Sequence, residues 1–191
     1  MILYLCSSNQ GKLRELEHAA EGSGLEVRLL PNLGTIAPPD EHGCSFEENA
    51  SSKAVYYSGF TDEAVLADDS GLEVDALYGA PGVYAARYAG GDATDADNIN
   101  LLLANLGNTT ARTARFACVL AMARNGALIT TARGHVDGEI LPMPRGANGF
   151  GYDPVFYYPP AQRSFAEMSA DEKLAVSHRG RAMREMLNHI R

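Results

Sequence analysis

The chain opens on a short apolar run, MILYLC (1–6), that stops at Ser7-Ser8-Asn9, and beyond it Leu13, Leu16 and Ala20 recur at helical spacing. This predicts a strand, a polar turn and a helix over Lys12 to Ala20. Gly22 and Gly24 end that helix, and LEVRLL (25–30) alternates like a strand. Residues 31–44 then carry Pro31, Gly34, Pro38, Pro39 and Gly43, the mark of a long and therefore functionally suspect loop. Ser45 followed by Glu48 forms a capping box that predicts a second helix from Phe46 to about Gly59. AVLADDSGLEV (64–74) predicts a strand running into an acidic turn, and GAPGVYAARYAGG (79–91) predicts irregular chain. Thr94 with Asp97 caps a third helix whose apolar face is Ile99, Leu102, Leu103 and Leu106, ending near Gly107. Two β-rich runs (112–124 and 127–136) flank Asn125-Gly126, a strong hairpin signal. After a Pro- and Gly-rich stretch (141–149) and FGYDPVF, two capping boxes, Ser164 with Glu167 and Ser169 with Glu172, precede a C-terminal helix from about Gly180.

Mixed helices and strands with one long hairpin predict an α/β domain whose sheet is not purely parallel, extended into two lobes. At 191 residues it forms one domain and can bury a core without disulfide or metal staples, so any metal is there for chemistry. A formal charge of −8 leaves no broad basic face and argues against a duplex nucleic-acid binder, while small anionic substrates held by a few local cations stay open. Cys6, Cys44 and Cys118 lack zinc or disulfide spacing, and no apolar run approaches membrane-spanning length, so the expectation is a reduced, cytoplasmic compartment with no membrane partner.

Four segments carry candidate chemistry. SSNQGK (7–12) sits where a strand turns into a helix; exposed N–H groups, the helix dipole and Lys12 make it either a phosphate cradle or a plain capped turn. Thirteen Arg stand against only three Lys, and Lys12, Lys53 and Lys173 each fall in a candidate segment, where a compact point charge differs from a planar fork. Asp68-Asp69-Ser70-Gly71 places two carboxylates at the end of an apolar strand; since successive side chains face opposite ways, only one of them meets a given ligand. One such Asp plus one acid from the long loop, among Asp40, Glu41 and Glu48, suits Mg²⁺, while a solvated turn is the alternative. FGYD (150–153) combines two aromatics, a glycine and an acid, as a base-stacking pocket does, and SHRG (177–180) lies just beyond Lys173.

Taken together, SSNQGK, FEENASSKA (46–54), ADDSGLEVDAL with GAPGVYAARYAG (67–90), GFGYDPVF (149–156) and EKLAVSHRG (172–180) resemble the inosine triphosphate pyrophosphatase family across nearly the whole chain. The resemblance implies an elongated, two-lobed α/β fold with a central curved mixed sheet flanked by helices and a nucleotide cleft between the lobes. It implies a homodimeric, Mg²⁺-dependent enzyme, with Mn²⁺ as a possible substitute, that hydrolyses ITP, dITP, XTP and dXTP to the monophosphate and pyrophosphate. Such an activity keeps hypoxanthine and xanthine out of DNA and RNA. Carried over residue by residue, it implies that Ser7, Ser8, Asn9, Gln10, Gly11 and Lys12 bind the triphosphate. Asp69 would be the general base and a Mg²⁺ ligand, supported by Asp68, with Glu41 and Asp40 completing the metal site and Lys53 beside the phosphates. Ser70 would contact substrate, and Phe150, Gly151, Tyr152, Asp153, Lys173, His178 and Arg179 would line the nucleoside pocket. A relative acting on pyrimidine nucleotides and a nucleotide sensor without turnover are the competing expectations.

Overall fold

The computed structural model describes residues 1–39 and 43–190. Strands β1 (Ile2–Leu5), β2 (Glu26–Leu29), β3 (Ala64–Val74), β4 (Thr113–Arg124), β5 (Ala127–Ile140), β6 (Phe156–Tyr158) and β7 (Arg163–Ser164) form a seven-stranded mixed sheet in the order β2-β1-β3-β4-β5-β6-β7. Around it lie helices α1 (Gln10–Ala20), α2 (Phe46–Tyr57), α3 (Asp95–Leu106), α4 (Ala170–Val176) and α5 (His178–His189). β1 runs parallel to both β2 and β3, whereas β5, β6 and β7 pair antiparallel. β4 and β5 are joined by Asn125-Gly126, both at positive φ (52° and 76°), the requirement of a type I′ hairpin turn.

The chain divides into two compact units, one of residues 1–69, 118–134 and 178–191, the other of residues 70–117 and 135–177. In the first unit, β3 and β4 are buried on both faces. Ala64, Leu66, Cys118, Leu120 and Met122 join Leu16 of α1 and Met183 and Met186 of α5 in one cluster; Val65, Ala67, Val119, Ala121 and Ala123 join Ala50, Ala54 and Tyr57 of α2 in another. Period-2 alternation thus assigns even positions of β3 to α1 and α5 and odd positions to α2. α5 lies close against β5 at Gly134, where a Cβ would come within 2.1 Å of the His178 carbonyl.

Phe116, Phe156 and Phe165 centre the second unit, with ring centroids 4.5 to 5.9 Å apart, and α3 packs Ile99, Leu102 and Leu106 against them. The stretch expected to be irregular is a 3₁₀ run, Gly82–Arg87, held by the buried Asn98 of α3, which accepts from the Ala89 N–H at 2.8 Å and donates to the Ala86 carbonyl at 3.2 Å. Two boundaries differ from expectation. β3 does not turn at Asp68-Asp69-Ser70-Gly71 but runs through to Val74, and the segment read as a solvated turn is mostly buried: Asp68, Asp69, Leu72 and Val74 are all buried. α5 begins at His178, not Gly180, because the extended Ser177 ends α4 and the new helix starts at once, with Gly180 buried in its first turn. All four predicted capping residues accept from the expected helix-start N–H or form the reciprocal box; at Ser45 the reciprocal bond shifts by one, Glu48 accepting from the Cys44 N–H.

The cap of α4 is charge-reinforced. Glu172 takes a bidentate pair of bonds from Arg163 (2.7 and 3.2 Å) and the Ser169 N–H (2.8 Å), and these lower its pKa from 4.5 to about 2. A depressed carboxylate pKa contributes stability above the unfolded value that is lost as pH falls through the folded one. The melting-temperature gap between the protein and Glu172→Gln is therefore expected to be constant above about pH 5 and to close between about pH 4.5 and 2; a gap independent of pH would contradict this assignment.

Candidate active site

At the start of α1, Asn9 is the N-cap. Its Oδ1 accepts from the N–H groups of Gly11 (2.8 Å) and Lys12 (3.1 Å), and Ser7 Oγ accepts from its own N–H at 3.2 Å. Among the described residues the N–H groups of Ser8 and Gln10 have no acceptor, so two donors remain at the positive end of the helix. Lys12 reaches back to β3: Nζ lies 2.6 Å from Asp68 Oδ1 and donates to the Asp68 carbonyl at 3.2 Å. An ammonium has three N–H bonds, so one is left to a ligand.

Asp68 is 1% exposed and sits on the α1/α5 face of β3. Its other oxygen accepts from Arg179 Nε at 2.7 Å and from the Cys118 thiol at 3.6 Å, while Arg179 Nη1 also pairs with Glu15 of α1. Burial alone would raise the Asp68 pKa, but the charges and hydrogen bonds of Arg179 and Lys12 outweigh it and hold the carboxyl well below the usual range. Such a group is a permanent anion, unsuited to taking a proton near neutrality. The same charge, with burial, keeps the Cys118 thiol protonated as a donor.

Asp69 points the other way, toward α2, where Asn49 Nδ2 donates to its Oδ2 at 3.2 Å. Asn49 is 4% exposed, and its Oδ1 is buried with no hydrogen-bond partner among the described residues. The backbone at Gly43 lies against this amide: a Cβ there would be 2.3 Å from Asn49 Oδ1. Lys53, one turn further along α2, is near enough to oppose the burial that pushes the Cys6 thiol up to about 12. Asp40 and Glu41 lie outside the described residues, and Glu48 spends one carboxylate oxygen on the Cys44 N–H.

In the second unit, Gly149 to Asp153 form a tight loop. Asp153, 2% exposed, accepts from the Phe150 N–H at 2.9 Å and pairs through the same oxygen with Lys173 of α4. Gly149, at φ 75°, has no alternative, since a Cβ would sit 2.0 Å from Asp153 Oδ2. The Lys173 ammonium lies 5.1 Å from the Phe150 ring centroid and 5.7 Å from that of Phe165, within cation–π range of both. Tyr152 is 5% exposed and packs in the apolar core of this unit, and its hydroxyl donates to the Ala85 carbonyl at 2.8 Å. Phe150 is the half-buried aromatic of this loop.

The structure thus gathers Lys12, Asp68 and Arg179 in one cluster, Asp69 in a second, and Phe150, Asp153 and Lys173 in a third. His178 and Arg179 belong to the first unit, and Ser70 opens the second. Sequence reasoning missed Asn49, Glu15 and Cys118. Glu15 had a signal, since it stands three residues after Lys12 on the same helix; Asn49 was hidden in the run after a capping box.

These features define an α/β protein with an anion-directed helix N-terminus, a buried acid on either face of one strand, and a lysine-and-aromatic loop. The Ham1 family model matches residues 3–189. A dITP/XTP pyrophosphatase of Syntrophobacter fumaroxidans is 51% identical over 185 residues (97% of this chain, 80% of that one), and one of Exiguobacterium sp. is 48% identical over 186 residues (97% and 95%). Among solved structures, the Staphylococcus aureus Ham1 protein aligns with a TM-score of 0.87 at 39% identity, covering 100% of this chain and 98% of that one. A nucleoside-triphosphatase, dITP/XTP pyrophosphatase, of Mycobacterium abscessus aligns at 0.76 and 40% identity over the full length of both. The chain belongs to the Ham1 family.

Asp68→Asn removes the buried anion and leaves Lys12 and Arg179 facing a neutral amide. It is expected to destabilise the fold by about 3–5 kcal/mol in urea denaturation. An unchanged midpoint would show that these cations do not depend on it.

Proposed function

We propose that this protein hydrolyses deaminated purine nucleoside triphosphates, ITP, dITP, XTP and dXTP, at the α-phosphorus to give the monophosphate and pyrophosphate, clearing them before they enter DNA or RNA. The observation that carries the reading is the division of the adjacent acids of β3: Asp68 is neutralised by two cations, while Asp69 is held by the neutral Asn49. The family relationship supports the substrate class, since relatives 44–51% identical are named dITP/XTP pyrophosphatases.

On this reading the Ser8 and Gln10 N–H groups and Lys12 donate hydrogen bonds to the triphosphate, and Lys53 neutralises charge that moves outward as the bond to pyrophosphate breaks. Asp69 orients the attacking water and accepts its proton, and its hydrogen bond from Asn49 fixes the carboxylate plane. The donor set fits Mg²⁺: a carboxylate, with a buried amide oxygen beside it that lacks a partner, offers hard oxygen atoms, and Asp69 with Asp40 and Glu41 would hold the ion. When bound, Mg²⁺ supplies charge neutralisation at the phosphate oxygens. Ser70, next along β3, contacts substrate.

The base is assigned to Phe150 with Lys173. Lysine is a donor only, so it can meet the O6 acceptor of hypoxanthine or xanthine but leaves the 6-amino group of adenine facing another donor. A mismatch of this kind discriminates strongly. Guanine shares O6, so its exclusion rests on the 2-amino group and is the weaker filter. A homodimer in the cytoplasm completes the proposal; Tyr78 and Tyr84, exposed on the 75–90 segment, offer aromatic surface for contact between copies. Light scattering should give twice the chain mass, and a monomer at working concentration would remove the dimer from the proposal.

The deciding assay is Mg²⁺-dependent turnover of ITP, XTP, GTP, ATP, dTTP and UTP with chromatographic separation of products. ITP and XTP should yield monophosphate and pyrophosphate with kcat/KM about 10²–10⁴ above ATP, GTP falling between. Asp69→Asn should bind ITP yet lose at least about 10³ in kcat. Diphosphate as product, pyrimidine preference, or near-normal turnover by this variant would each overturn part of the mechanism.

A further inference from the structure

Behind the Phe150 loop stands Asp95, the first residue of α3. Its Oδ2 accepts the Gly151 N–H at 2.6 Å, the length of a charge-assisted bond. That N–H belongs to the peptide joining Phe150 to Gly151, and the carbonyl of the same peptide accepts from the Asp153 N–H at 3.3 Å. The preceding peptide is held as well, through the Phe150 N–H on Asp153. Phe150 is therefore bracketed by two peptide planes, each tied to a carboxylate, which fixes the direction in which its ring leaves the backbone over Lys173. Asp153 is itself locked by Lys173, and Asp95 is locked by its place in the first turn of a helix whose buried Asn98 holds the 86–89 backbone. Burial above all, then Tyr88 and Asp95, oppose ionisation of the nearby Tyr152 hydroxyl.

We infer that Asp95 is a positioning residue for base recognition: by holding the Phe150–Gly151 peptide it sets the ring and the neighbouring cation at the angle the purine needs. The inference rests on the proposal that this loop holds the base. It assigns Asp95 no part in bond cleavage, so its removal should act on KM and on base choice, not on kcat.

The test compares Asp95→Ala, Asp95→Asn and Phe150→Ala with the unaltered protein by steady-state kinetics on ITP and ATP, with melting temperatures measured alongside. Asp95→Ala should raise KM for ITP roughly 5- to 20-fold, leave kcat within about twofold, and narrow the ratio of ITP to ATP efficiency. Asp95→Asn keeps an acceptor oxygen and should restore KM to within about threefold, although it gives up the negative charge at the helix start. Should Asp95→Asn behave like Asp95→Ala, or should both lower kcat and melting temperature with KM unmoved, Asp95 serves only the helix and the inference fails. A raised KM in Phe150→Ala beside an unaffected Asp95→Ala overturns the role of Asp95 while leaving the loop as base site. An unaffected KM in Phe150→Ala removes the base from this loop, and the inference falls with that reading.

Discussion

A carboxylate shut away from water must be neutralised, and the first unit is organised around that demand at Asp68. Placing an unpaired anion there would cost several kcal/mol, so the chain brings Lys12 from the start of α1 and Arg179 from the start of α5 to the same two oxygens. Both helices are thereby docked at their first turns, where the useful backbone donors of α1 are. The apolar clusters beneath would pack the helices against the sheet in any case, but they do not specify rotation or axial position to the accuracy a phosphate site needs. Charged groups with fixed partners do. The ion-pair cluster therefore acts as a register mark more than as a source of stability.

The second unit repeats the device on a smaller scale. Lys173 and Asp153 neutralise each other in a buried pair, and the acid then holds the Phe150 N–H. Two of the three lysines of the chain sit in these pairs. In each, a compact ammonium meets one carboxylate oxygen, beside two phenyl rings in the case of Lys173. A guanidinium presents five donors in a rigid plane and would leave several unsatisfied there. Arginine fills a buried position that offers acceptors on two sides, Arg179 between Asp68 and Glu15.

Much of this was legible before any coordinates. The caps at Ser45 and Thr94 placed two helix starts to the residue, and the boxes read at Ser164 and Ser169 both form, because capping is local chemistry. Asn-Gly gave the hairpin for the same reason. Failures fell where tertiary context overrides local signals. Asp-Asp-Ser-Gly has the composition of a turn, yet continues as strand, and its two acids are buried with partners that stand far away in the sequence: Lys12 and Arg179 for Asp68, Asn49 for Asp69. The burial of Tyr152 was likewise not legible, since the Ala85 carbonyl that takes its hydroxyl is 67 residues away in sequence. That Asp68 and Asp69 face opposite ways was already contained in the period of a strand. What the period did not contain is which face holds the cations, since Arg179 is 111 residues away from Asp68.

The charge balance of the first cluster bears on how a polyanion would be held there. Asp68 and Glu15 stand against Lys12 and Arg179, so the four side chains sum to zero. Lys12 is then a directed N–H donor whose charge is already answered, not a free cation drawing in phosphate from a distance. On the proposed reading the long-range attraction must come from elsewhere: the dipole of α1 with its two N–H donors, Lys53, and the divalent ion that accompanies a nucleoside triphosphate. This arrangement suits a chain with a net charge of −8, which cannot gather anions by its overall field. Binding then depends on short-range geometry, and geometry is what the cluster around Asp68 enforces.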